Sequence, residues 1–202
     1  MSALTTPTKG TKRKAAADER TPAAKTIAKS NIKVSMHHLG GVPSKKQEND
    51  ILDGGGFPWN RDFEPSMTDY RKRDYKRIAG EEKELLAFKV AGGDLRSDAA
   101  YKRFENQEAF ETGIDVGIIA TVVALSAVGC YPTASCVGGP GHWASHPQVI
   151  FYCPTKSWQK VKQAAVATGV SIAGSNEYGL MAFHKKDWKP LQSFGRALMQ
   201  RT

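Results

Sequence analysis

Between Gly129 and Pro154 the chain contains no Lys, Arg, Asp or Glu, yet all three of its cysteines and two of its five histidines fall there. A stretch this poor in charge must find a partner to bury it, and its punctuation says how. Tyr131 to Cys136 reads as a short strand, the glycines at 138, 139 and 141 break it into a loop, and Gln148 to Cys153 resumes as an apolar strand. The expected unit is strand, loop bearing Ser135-Cys136 and His142, then strand.

The flanking segments predict what covers that unit. Ile118, Ile119, Val122, Val123, Leu125 and Val128 recur at helical spacing, with Asp115 as the expected N-cap and Gly129 as the stop. A helix capped by Ser157 is expected to end at Gly169, followed by strands at 170–173 and 179–184 joined by the turn from Gly174 to Glu177, then a helix from Trp188 to Met199. The order helix, strand, loop, strand, helix, hairpin, helix predicts an α+β fold, a mostly antiparallel sheet packed by helices.

Three regions follow from the pattern: a disordered basic tail over 1–50, a helical extension over 51–112 that packs on the core, and the α+β core domain over 113–202. The tail mixes Thr, Ala, Lys and Pro and has too few large apolar side chains to offset the entropy of ordering. Asp53 to Trp59 reads as a flexible joint leading into a docking strap. Ser66 or Thr68 is expected to cap a helix through Tyr70 to Ile78 that Gly80 stops. Glu81 to Val90 fits a helix or a helix followed by a strand, and Gly92-Gly93 ends it. Ser97-Asp98 then opens a helix burying Tyr101, Phe104 and Phe110.

Charge limits the functional classes. The net +9 divides into +6 over 1–50, −2 over 51–112 and +5 over 113–202, so much of it sits on the tail and argues only modestly for an anionic partner. Arg71, Lys72, Arg73, Lys76 and Arg77, interleaved with Tyr70 and Tyr75, are the candidate nucleic-acid contacts: cations for a phosphate backbone, rings for stacking. The odd cysteine count, the lack of a signal-like segment and the absence of long apolar runs predict a cytoplasmic protein with no membrane partner.

In the loop, Gly138, Gly139 and Gly141 can free successive N–H groups to hold an anion. Cys136 becomes a nucleophile if a neighbour lowers its pKa from the free value of about 8.5, and His142 is the candidate neighbour. Cys136, His142 and Ser135 are therefore the candidate catalytic residues; Thr133, Gly138, Gly139, Gly141, Trp143 and His146 are the candidate ligand-binding set. The spacing of Cys130, Cys136, His142, His146 and Cys153 matches no zinc knuckle, so no metal ligand is assigned, and Cys130 and Cys153 read as core residues.

Residues 114–183 resemble the tRNA wybutosine-synthesizing methyltransferase family that acts at the third enzymatic step. The shared features are Ile114-Asp115 opening an apolar helix, then Tyr131, Thr133, Ser135, Cys136 and Gly138 in the pattern Tyr-x-Thr-x-Ser-Cys-x-Gly. The resemblance implies S-adenosylmethionine as cofactor, a modified guanosine in tRNA as substrate, and the Ser-Cys loop near the active site. Where the family has Ser-Cys-Ser-Gly-Arg, this chain carries Val137, Gly138 and Gly139 after the cysteine. Its loop is more similar to that of small uncharacterised bacterial and phage proteins with Ser-Cys-x-Gly-Gly-x-Gly-His.

The expected function is a nucleic-acid or nucleotide-binding domain, an RNA-modifying, methyltransferase-like enzyme if the loop is catalytic, with RNA or another polyanion as partner. The alternatives are a non-catalytic interaction or small-metabolite-binding module, with Trp143 as an anchor, and a zinc-stabilised structural domain.

Overall fold

The computed structural model describes residues 31–35, 39, 70, 72–175 and 179–200. The strap, the caps at Ser66 and Thr68, Arg71, His37, His38 and the turn residues Asn176 and Glu177 lie outside them, as does most of the 1–50 tail.

The elements are β1 (Ile32–Lys33), α1 (Lys72–Val90), α2 (Asp98–Phe104), α3 (Glu108–Glu111), α4 (Ile119–Ala127), β2 (Tyr131–Cys136), β3 (Gln148–Tyr152), α5 (Thr155–Thr168), β4 (Ser171–Gly174), β5 (Leu180–Phe183) and α6 (Lys189–Met199). The strands form one sheet in the order β1-β4-β5-β3-β2, antiparallel except where β1 joins β4. The fold is α+β, as the pattern predicts.

Helix α4 lies between two cores. Residues Ile119 to Ser126 are all buried, as expected of a helix that is apolar all round. Ile118, Val122 and Leu125 pack with Val149, Phe151, Leu180 and Ala182 of the sheet and with Val161, Leu191 and Phe194 of α5 and α6. Ile119 and Val123 pack instead with Ile78 and Leu85 of α1, Phe104 of α2 and Ala109 of α3. The result is a sheet, a middle layer of helices and an outer layer of helices.

Several local expectations need correction. Gly80 does not stop α1, which continues to Val90 because Ile78, Glu82 and Leu85 bury one stripe across the glycine. Tyr101 is 61% exposed while Phe104 of the same helix is buried. Ser157 does not cap α5; it sits inside that helix, and its Oγ donates to the carbonyl of Val128 at 2.7 Å. Within the segment expected to be disordered, Ile32 and Lys33 pair with Ile172 and Ala173, and Leu39 bridges Cys153. Alternating half-burial of Ile32 and Val34 gives that short run the period of an edge strand.

The largest revision concerns Asp115. Helix α4 has no side-chain cap of its own. Instead the carboxylate of Glu82, 35 to 38 residues upstream on α1, accepts from the amides of Gly117 (2.8 Å), Ile119 (2.8 Å) and Ala120 (3.1 Å). A buried acid therefore satisfies the orphan donors of the first turn, and the Asp115 side chain is released to point elsewhere.

Candidate functional site

The site lies at the end of β2. Cys136 is the last residue of that strand and is fully buried. The chain then turns through Val137 and Gly138, where φ is +74°, and a Cβ would come within 2.7 Å of His146 Cα and Pro147 N. Only glycine fits this crossing. The turn closes with Gly139 N–H donating to Ala144 O at 3.2 Å and His142 N–H donating to Gly139 O at 3.1 Å, which sets the His142 ring back over the end of the strand.

Asp115 enters from the turn before α4. Its Oδ2 accepts from the Val137 amide at 2.9 Å and stands 3.3 Å from Nδ1 of His142. Sγ of Cys136 accepts from the Gly138 amide at 3.4 Å. One atom each from Asp115, Cys136 and His142 lies within 4.8 Å of the other two. Both the Asp115 and the His142 side chains are 34% exposed, so the cluster has a buried sulfur and a solvent-facing rim.

Cys136 and His142 are thus brought together as the sequence suggested, and the third member, Asp115, is one that sequence reasoning had placed at a helix cap. Of the three amides expected to cradle an anion, two are used internally: Gly138 donates to Cys136 Sγ and Gly139 to the Ala144 carbonyl, while the adjacent Val137 amide serves Asp115. The glycines shape the loop, and one of them, Gly138, donates its amide to the Cys136 sulfur.

The other candidates stand further back. Thr133 is buried at the irregularity of β2, its hydroxyl facing the Ile150 carbonyl at 3.4 Å, and Ser135 pairs with Val149 in the ladder. His146 contacts Ser145 Oγ through Nδ1 at 3.0 Å and packs its ring on Phe183 at 5.2 Å; its Nε2 is buried without a hydrogen-bond partner among the described residues. Trp143 is 42% exposed beside the loop and Gly141 is exposed. Cys130 and Cys153 are a buried contact pair in the core, and the hydrogen bond to Cys153, followed by burial, pushes the Cys130 thiol well up.

Of the basic residues on α1, Arg77 pairs with Glu81 at 2.9 Å and also with Glu108 of α3. Arg73 lies 3.7 Å from Asp74. Lys72 and Lys76 are exposed. The stripe is therefore partly neutralised by the fold's own carboxylates. Among the described residues no helix is long and apolar enough to cross a membrane.

Compared with protein-family models, curated proteins and solved structures, the chain matches none.

Proposed function

We propose that Asp115, Cys136 and His142 form a mononuclear metal centre of the zinc type, with an open position at the rim for hydrolytic or related Lewis-acid chemistry. The carrying observation is the convergence of a carboxylate oxygen, a thiol sulfur and an imidazole nitrogen within 4.8 Å. Around a tetrahedral zinc, bond lengths of about 2.0–2.3 Å place neighbouring ligand atoms about 3.3–3.8 Å apart. The 3.3 Å between Asp115 Oδ2 and His142 Nδ1 fits such an edge, and is longer than the roughly 2.7–2.9 Å of a charge-assisted hydrogen bond.

The charge of the loop is compatible with the same reading. A bound metal would hold Cys136 as a thiolate beside the Asp115 carboxylate, and between Gly129 and Pro154 the chain offers neither Lys nor Arg to compete for that pair. A divalent cation with neutral His142 balances the set. The amides of Val137 and Gly138 then orient Asp115 and Cys136 from outside the coordination sphere. Three protein ligands leave a fourth position in which zinc would lower the pKa of a water toward about 7.

A second reading keeps Cys136 as a nucleophile, His142 as its base and Asp115 as the group that orients the ring. The Asp115 contact at Nδ1 favours it; the complete burial of Cys136 weighs against it. Methyl transfer from S-adenosylmethionine to RNA rests on the family resemblance, and remains a separate proposal.

Metal analysis of protein purified without chelator tests the assignment. About one equivalent of zinc per chain, lost in Cys136→Ala and His142→Ala proteins that still fold, is the expected result. A metal-free protein that fails to take up added zinc and is inactivated by thiol alkylation at Cys136 would favour the nucleophile. A retained nucleoside in the native mass spectrum would favour methyl transfer.

A further inference from the structure

A second site lies where α1 and α6 diverge over the first turn of α4. The cleft between them has a volume of about 320 Å³, within the range of small-ligand pockets. We infer that it binds a small phosphorylated ligand with a planar or apolar body, of the size of a nucleoside monophosphate. This assignment is independent of the metal centre.

Three cations face the cleft, Lys76 and Lys83 from α1 and Arg196 from α6. Among the described residues none of them has a carboxylate within ion-pair distance. The rest of the charge on α1 is disposed differently. Arg77 is held by Glu81 and Glu108, and Glu84 accepts from Gln107 at 2.8 Å, so these groups are tied to α3 and its approach. Glu82 also borders the cleft, but both its oxygens are turned to the amides that open α4. The field left inside is positive, and a phosphate at its mouth would meet cations from two helices.

The apolar part of the lining is mostly small side chains, with Leu86 the larger exception. Ala79, Gly80 and Ala120 are the small ones. Gly80 sits in mid-helix, where glycine is unfavourable, yet among the described residues, its own helix backbone aside, no atom lies within 4 Å of the position its Cβ would take. Packing therefore does not require the glycine; a side chain there would project into open space on the cleft side. Tyr75 supplies a half-buried ring, and Gln192, whose side chain is hydrogen-bonded to Glu82, has its remaining amide capacity for a flat polar body. The ligand class follows from the combination: phosphate at the cations, a flat body against Tyr75 and the alanines.

Calorimetric titration with AMP, with inorganic phosphate and with a single-stranded oligonucleotide tests the assignment. AMP should bind with one-to-one stoichiometry, at least tenfold more tightly than phosphate, and with an affinity that falls as salt is raised. Lys83→Glu combined with Arg196→Glu should weaken AMP at least tenfold. Gly80→Leu should abolish binding while raising the melting temperature, because it fills the cleft and improves the helix; this variant separates lost binding from lost folding. Cys136→Ala should leave AMP affinity unchanged, so the two sites can fail separately. Absence of AMP binding, or binding that survives Gly80→Leu, overturns the inference. An oligonucleotide that binds far more tightly than AMP, without one-to-one stoichiometry, replaces it with a nucleic-acid surface.

Discussion

Oδ2 of Asp115 stands 3.3 Å from Nδ1 of His142, although all of α4 and β2 lie between them in the chain. The contact is assembled by the fold and not by local sequence, so it can be removed without unmaking the loop. Asp115→Asn retains an oxygen for the Val137 amide but loses the charge. We expect its zinc affinity to fall at least tenfold, while the metal-free variant melts within a few degrees of the parent. Saturating zinc, at about 100 times its dissociation constant, should stabilise the parent by roughly 2.7 kcal/mol. Thermal melts with and without zinc check both statements; equal zinc stabilisation of parent and variant would remove Asp115 from the ligand set.

Gly138 is the position at which the loop is least replaceable. An added Cβ meets backbone atoms of His146 and Pro147, which have no rotamer to yield, and φ is +74°. Gly138→Ala should cost about 3 kcal/mol or more and abolish metal binding. Gly139→Ala meets no described atom within 4 Å, and at φ +106° it should cost about 1–3 kcal/mol of backbone strain without the added clash. Chemical denaturation of the two variants gives the comparison.

Glu82 gives the fold a pH dependence of defined sign. Burial pushes its carboxyl above the usual carboxylate value, against the pull of the amides of Ala120, Gly117 and Ile119 and of Gln192. The folded state therefore binds this proton more readily than the unfolded chain. The stabilisation attached to the proton is complete below the ordinary value of about 4.3 and is lost as pH rises through the raised one. The stability of the parent minus that of Glu82→Gln should accordingly fall with rising pH across that window. Glu82→Ala, which strands three amides, should cost about 3 kcal/mol on top of that same pH-dependent difference. Denaturation curves at a series of pH values would expose a slope of the opposite sign.

The three thiols should be silent in the native protein. Cys130, Cys136 and Cys153 are all buried, and the raised pKa of Cys130 keeps it protonated. A colourless-to-yellow disulfide reagent should react with all three promptly after unfolding and only slowly before it. Rapid labelling of Cys136 in the folded, metal-free protein would instead reveal an accessible sulfur and strengthen the nucleophile reading.

How far these features could be foreseen depends on the range over which each is determined. The strand, glycine loop and strand around Cys136 are local, and the charge-free composition of 129–154 marks them. Cys136 and His142 could be named as candidate neighbours because one short loop carries both, but their meeting was not legible, since it depends on how the glycine turns aim the ring. The role of Asp115 was not. An acid just before an apolar helix is the commonest N-cap signal, and only the three-dimensional arrival of Glu82 from α1 displaces it. Gly80 looked like a terminator because propensity is local, whereas the buried stripe of Ile78, Glu82 and Leu85 that carries α1 past it is tertiary. The pairing of Ile32 with Ile172 spans most of the chain, and no short-range pattern reports it.

The acid that starts α4 belongs to a different layer from the helix it starts. Dividing the polypeptide at residue 113, where composition suggests a boundary, would part a lid from its vessel: the second half would keep every proposed metal ligand but lose the clamp that holds the turn beside Asp115. Any minimal version of this protein must therefore begin upstream of Lys72, and substitutions on the outer face of the molecule can reach the centre without touching it.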